Sequence, residues 1–191
     1  MADYGIASLS VIPMRLKPAH TAEMVSQLLY GETYTVTEYV DEWLRIQTHF
    51  DNYTGFLPQA LHTHITKQWF HQIENSKKWY AGEIVQMVTN HNTTFPILIG
   101  STLHEFDGLN YKIGKERLVY AGNAIPESEE YRQFEYIKKI SKKFLNAPYL
   151  WGGRSPFGID CSGFVQVVFK MCGIPMPRDA YQQAELGRTI N

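Results

Sequence analysis

The chain has 191 residues, 44% of them hydrophobic and 19% charged, which is the composition of an ordinary folded protein. Eighteen Lys and Arg stand against nineteen Asp and Glu, a net charge near −1 with no basic block, so a nucleic-acid or anionic-membrane partner has no electrostatic support. No apolar run is long enough to cross a bilayer, and the first eleven residues lack the basic and apolar regions of a leader.

From Ile6 to about Leu61 the pattern is one of short strands and turns. Thr33–Val40 alternates with β-branched and aromatic residues, Trp43–Phe50 does so again, and Asp51-Asn52 turns the chain toward Tyr53-Thr-Gly-Phe-Leu-Pro. The run from Thr21 to Glu32 reads as a helical turn or two ahead of Gly31. Five or so short strands in sixty residues predict a small barrel over residues 1–62. A second β-rich unit is expected over residues 63–125. Its strands fall at Glu83–Thr89 and Phe95–Gly100, followed by a hairpin in the stretch Phe106–Glu116 with turns at Asp107-Gly108 and Gly114-Lys115. Pro126 breaks a linker. A helix is then predicted from Ser128 to about Asn146, because Tyr131, Phe134, Ile137, Ile140 and Phe144 recur at spacings of three and four. Ala147-Pro148 ends it.

The next stretch carries the chemistry. Gly152, Gly153, Pro156 and Gly158 exclude regular structure, Asp160 offers a helix N-cap, and apolar residues follow through Met171. Cys161 then falls in the first turn of a helix, where unpaired N–H groups and the helix dipole favour a thiolate. Set against this, a lone cysteine is most often a small packing residue. Cys161 and Cys172 lie eleven apart on one helix, about 16 Å along its axis, so both thiols are expected to be free and the compartment reducing. A cytoplasmic location follows as an expectation.

Tyr149-Leu-Trp-Gly-Gly, Asp160-Cys-Ser-Gly-Phe-Val, Cys172-Gly-Ile-Pro-Met-Pro-Arg-Asp and the Gln182-Gln183 pair occur at the spacing found in NlpC-type (NlpC/p60 superfamily) cysteine peptidases. The segment Trp43-x-x-Ile46 with Asp51-x-Tyr-x-Gly-Phe resembles the close of a bacterial SH3-like barrel. The resemblance implies an α+β chain: two small SH3-like β-barrels followed by a papain-like peptidase domain over residues 128–191. It assigns Cys161 as nucleophile and Tyr149 as the tyrosine facing it. Ser162 is a substrate neighbour, as is Trp151, although core packing explains the indole equally well. Arg178-Asp179 resembles the subgroup acting on L-Ala-γ-D-Glu-diamino acid peptides of murein, in which the aspartate binds the free α-amine. Glu23 and Tyr53 are the candidates from the first barrel to close that amine pocket. Ala180 stands where the subgroup has serine.

A thiol nucleophile needs a general base, usually histidine. All seven histidines (His20, His49, His62, His64, His71, His91 and His104) precede Cys161, and the resemblance places the catalytic one after it. The sequence therefore predicts a truncated form of the peptidase with little or no turnover, or else a non-catalytic peptide-binding module with a vestigial peptidase domain. No cofactor is expected. His62 and His64 alternate on one strand and could bind a metal on paper, but they lack matched Cys or Asp partners and no metal is expected either.

Overall fold

The computed structural model describes residues 3–188. The chain opens with β1 (Asp3–Ile6), β2 (Val11–Arg15), β3 (Met24–Leu29), β4 (Thr33–Val40), β5 (Trp43–Thr48), β6 (Thr54–Pro58) and β7 (Thr63–Ile65). These seven form one antiparallel sheet in the order β3-β2-β6-β5-β4-β1-β7. β4 has the bounds that its alternation predicts. Bulges between Met14 and Arg15 and between Val36 and Glu38 curl the sheet around Ile12, Met14, Tyr34, Leu44, Ile46 and Leu57. The curl does not close, because β3 and β7 remain its edges and no hydrogen-bonded barrel forms among the described residues.

β3 replaces the helical turns expected between Thr21 and Glu32. Leu28 packs into the first sheet's core while Leu29 packs against the C-terminal helices. A strand buried on both faces loses its polar alternation and reads as a compact apolar run.

A helix follows, α1 (Lys67–Glu74), within the region expected to be β-rich. Thr66 caps it by accepting from the Trp69 N–H at 3.2 Å, and Phe70 and Ile73 face the core. Next come β8 (Trp79–Ala81), β9 (Val85–Thr89), β10 (Thr94–Leu98), β11 (Asn110–Ile113), β12 (Glu116–Tyr120) and β13 (Ala124–Pro126). Four of them pair as β10-β9-β12-β11, and β13 pairs with β8. This second sheet is also open. Its core joins Tyr111, Leu118 and Tyr120 to α1 and to Ile6 of the first sheet, so the two sheets share one interior.

The helix predicted from Ser128 to Asn146 is broken into a 3-10 turn (Glu129–Tyr131), α2 (Phe134–Ser141) and a second 3-10 turn (Lys142–Phe144). Ser128 caps the first turn, and Gln133 is extended at φ −83° and ψ 145°. Arg132 is drawn aside, its Nη1 on Glu129 at 2.8 Å and its Nη2 on the Gly173 carbonyl at 3.1 Å. Phe134, expected on the apolar face, is left 73% exposed. The short pair β14 (Arg154–Ser155) and β15 (Gly158–Ile159) leads into α3 (Cys161–Met171), and α4 (Ala180–Leu186) ends the described chain. α3 buries Val167, Val168 and Met171 against α2, Leu29, Tyr80 and Ile99. The result is an α+β structure in which the cysteine helix packs on Leu29 of the first sheet and on Tyr80 of the β8–β13 pair.

Candidate active site

The turn that presents Cys161 is built around Asp160. Its Oδ1 accepts the N–H of Gly163 at 2.6 Å, which is the helix cap, and its Oδ2 accepts the N–H of Gly152 at 2.9 Å. One carboxylate thus fixes the glycine-rich loop before the cysteine and the helix after it. Arg178 completes the arrangement from the far side, with Nη2 at 2.7 Å from Oδ2 and Nη1 at 3.1 Å from Oδ1. Burial opposes ionisation of Asp160, but the Arg178 guanidinium and the two N–H donors outweigh it and hold the carboxyl below its usual range. Two glycines permit the close approach. Gly152 has φ +76°, and a Cβ there would stand 2.2 Å from the Met24 carbonyl oxygen; one on Gly163 would stand 2.2 Å from that of Gly153.

Charges also tie this turn to the first sheet. Arg154, on the loop, donates to both oxygens of Glu32 at 2.7 and 2.9 Å and to the Gln27 carbonyl at 2.6 Å. Lys170, on α3, reaches the same carboxylate at 2.6 Å. All three are almost fully buried. Burial works against the Glu32 charge, and the two cations reverse that and hold its carboxyl well below the ordinary value. Glu32 therefore connects the segment before Cys161 with the helix that carries it. The sequence offered one signal for this pair of contacts: Lys170 sits inside an otherwise apolar helical run, and a buried lysine requires a partner.

All eight residues singled out in the sequence, Cys161, Tyr149, Asp179, Arg178, Trp151, Ser162, Glu23 and Tyr53, line one cleft of about 400 Å³. Cys161 is exposed in it. Tyr149 is 68% exposed and is held beside Ile159 by a parallel bridge, two residues ahead of the cysteine. Trp151 donates its indole N–H to Glu23 at 2.7 Å, so a residue from the loop before β3 forms one wall. The Tyr53 hydroxyl donates to Asp179 Oδ1 at 3.2 Å. Asp179 stands at the N-cap position of α4 yet makes no side-chain cap bond there, its carboxylate facing the cleft instead. Burial, then the neighbouring Asp179 charge, pushes the Tyr53 phenol up to about 12.

Arg178 and Ser162 differ from the other six. The Arg178 side chain is 2% exposed, and besides Asp160 it donates to Ser162 Oγ at 2.7 Å and Ser26 Oγ at 3.2 Å. Both residues are committed to the chain's own polar network and shape the cleft from behind it. The motif contained Gln183 but gave it no role; it donates to the Ser162 and Pro177 carbonyls at 3.0 and 2.7 Å and fixes α4 against the cysteine turn. Asp51, read in the sequence only as part of a turn, accepts from Gln166 on α3 at 2.7 Å. No histidine lines the cleft among the described residues.

Comparison with known proteins agrees with this architecture. Residues 14–60 match the bacterial dipeptidyl-peptidase SH3 domain, and residues 146–191 match the NlpC/P60 family. The chain is 45% identical over 75 residues to the gamma-D-glutamyl-L-lysine dipeptidyl-peptidase of Bacillus subtilis, an alignment covering 39% of this chain and 25% of the relative. With the protein of the same name from Bacillus cereus the identity is 25% over 205 residues, covering 88% of this chain and 56% of the relative. The chain thus spans between a quarter and about half the length of these two relatives. A crystal structure of an NlpC/P60 family protein from Bacillus cereus superimposes with a TM-score of 0.84 at 18% identity, over 98% of this chain and 78% of the other, and so shares the fold. Matched at both ends and superimposable along its length, the chain resembles the NlpC/P60 cysteine peptidases that carry N-terminal bacterial SH3-like domains.

Proposed function

We propose that this chain provides the nucleophile and the amine-reading pocket of a cysteine peptidase acting on short murein peptides with a free N-terminal L-Ala, cut between γ-D-Glu and the diamino acid. The observation that carries the reading is the convergence of Cys161 with Asp179, Tyr53 and Glu23 in one cleft. The Cys161 thiolate attacks the γ-carbonyl of D-Glu. The resulting oxyanion is met by a backbone N–H of the first helical turn, at Cys161 or Ser162, and by the Tyr149 hydroxyl. Collapse releases the diamino acid as its amine and leaves a thioester on sulfur, which water hydrolyses to a carboxylate. At the other end, Asp179 and Glu23 offer carboxylates to the ammonium of L-Ala. An internal amide has no charge to pair with them, so the pocket favours peptides with a free N-terminus.

The names of the Bacillus relatives point to the same bond. Proton transfer requires a base, and none of the histidines of the described residues is at the cleft. By itself, the 191-residue chain is expected to turn the peptide over slowly or not at all. The two unpaired cysteines suit a reducing compartment, and we assign the reaction to the cytoplasm on that basis. The alternative of a binding module whose cysteine is a relic is separated by thiol chemistry. A poised nucleophile in Cys161 alkylates at neutral pH much faster than free cysteine and is protected by L-Ala-γ-D-Glu-L-Lys. Alkylation no faster than free cysteine, with no protection, would leave only the binding module.

A further inference from the structure

Histidines 62 and 64 lacked a partner in the sequence, and the fold supplies one from 59 residues away. β1 pairs antiparallel with β7, with Gly5 opposite His64, which brings Asp3 to the same face of the sheet edge. Asp3 Oδ1 lies 2.7 Å from His64 Nδ1, and Asp3 Oδ2 lies 3.3 Å from His62 Nε2. One ligand atom from each of the three residues falls within 4.8 Å of the others. None of the three lines the cysteine cleft.

The surroundings orient these groups. His62 Nδ1 is 3.1 Å from the Tyr34 hydroxyl, which turns its Nε2 toward Asp3. Gly5 makes this possible, since a Cβ there would stand 2.3 Å from the Tyr34 ring. His62 Nε2 is buried and has no hydrogen bond of good geometry among the described residues. The Tyr39 hydroxyl donates to Asp3 Oδ2 and fixes the carboxylate from outside. A hydrogen-bonded second layer of this kind orients histidine and carboxylate ligands around a metal. His64, 64% exposed at its side chain, leaves the cluster open to solvent on one side.

We propose that Asp3, His62 and His64 bind a divalent transition cation of the zinc class, fastening β1 to β7. Two imidazoles and one carboxylate are a donor set for Zn²⁺ with a fourth position left for water. Bonds of about 2.0–2.2 Å put tetrahedral ligand atoms roughly 3.2–3.5 Å apart, which the 3.3 Å between His62 Nε2 and Asp3 Oδ2 meets, while the exposed His64 ring, now on Asp3 Oδ1, has to turn toward the same ion.

Zinc titration of the full chain by calorimetry, repeated with Co²⁺ and read by its visible absorption, tests this. The expected result is one saturable site per chain, weakened at least tenfold in His64→Ala and in Asp3→Asn, both of which keep the wild-type circular dichroism. Uptake untouched by these two substitutions but lost in Cys161→Ala would assign the metal to the thiol and overturn the proposal, as would the absence of saturable uptake.

Discussion

Replacing Asp160 separates the two roles that its carboxylate plays at the cysteine turn. In Asp160→Asn the side-chain oxygen still accepts the Gly163 N–H, since asparagine is as good a cap as aspartate. What disappears is the charge facing Arg178, whose side chain is 2% exposed, together with the Oδ2 acceptor of the Gly152 N–H. Removing one partner of a buried ion pair costs about 3–5 kcal/mol, because the other charge stays buried and uncompensated. Ser162 and Ser26 remain as neutral partners of Arg178, which favours the lower end of that range. Asp160→Ala removes the cap as well, adding about 1 kcal/mol. The two variants should therefore lose about 3 and 4 kcal/mol, a large share of a domain stability of roughly 5–15 kcal/mol. Urea unfolding followed by tryptophan fluorescence measures both. An Asp160→Asn variant within 1 kcal/mol of wild type would refute the claim that the Arg178 charge pair holds this turn together.

Glu32 sets an acid limit. Its folded pKa lies at about 2 against an ordinary 4.5, so its contribution is complete above pH 4.5 and is lost as the pH falls through that interval, and Asp160 acts with the same sign. Stability by urea titration should fall steeply between pH 5 and 3, and Glu32→Gln should flatten that slope; a wild-type profile that is level over the interval would contradict it. The two thiols should behave differently. Cys172 is fully buried and burial pushes its thiol up to about 11, so mass spectrometry after iodoacetamide treatment at pH 7.5 should find one modification on the native chain, at Cys161, and two after unfolding. Gly152→Ala places a Cβ against the Met24 carbonyl at φ +76°, a strain of about 1–3 kcal/mol before any clash is counted, and thermal melting should show a lower midpoint.

How much of this was legible depends on the range of the signal. The cysteine turn was readable because its determinants are local: Asp160 caps a helix three residues before Gly163, and the glycines before it punctuate the loop. β4 was readable for the same reason, its alternation lying between Gly31 and Asp41. α1 carried a signal that was not read, with Thr66 as cap and Phe70 and Ile73 three apart, in a region dominated by strands. The break before α2 depends on Arg132 reaching the Gly173 carbonyl, 41 residues on, and no periodicity announces that. The resemblance to the peptidase family picked out eight residues that share one cleft. It did not show that Arg178 and Ser162 are used up by Asp160 and by each other. The Glu32 contacts to Arg154 and Lys170 span 122 and 138 residues, so their pairing becomes visible only once the first sheet and the cysteine helix are in contact.

The central claim is that the cleft reads a free amino terminus beside the Cys161 thiol. Calorimetric binding of L-Ala-γ-D-Glu-L-Lys and of its N-acetylated form to the 191-residue chain tests it most directly. The account predicts that the free amine binds at least tenfold more tightly and that Asp179→Asn erases the difference. Equal affinity for the two peptides would contradict it.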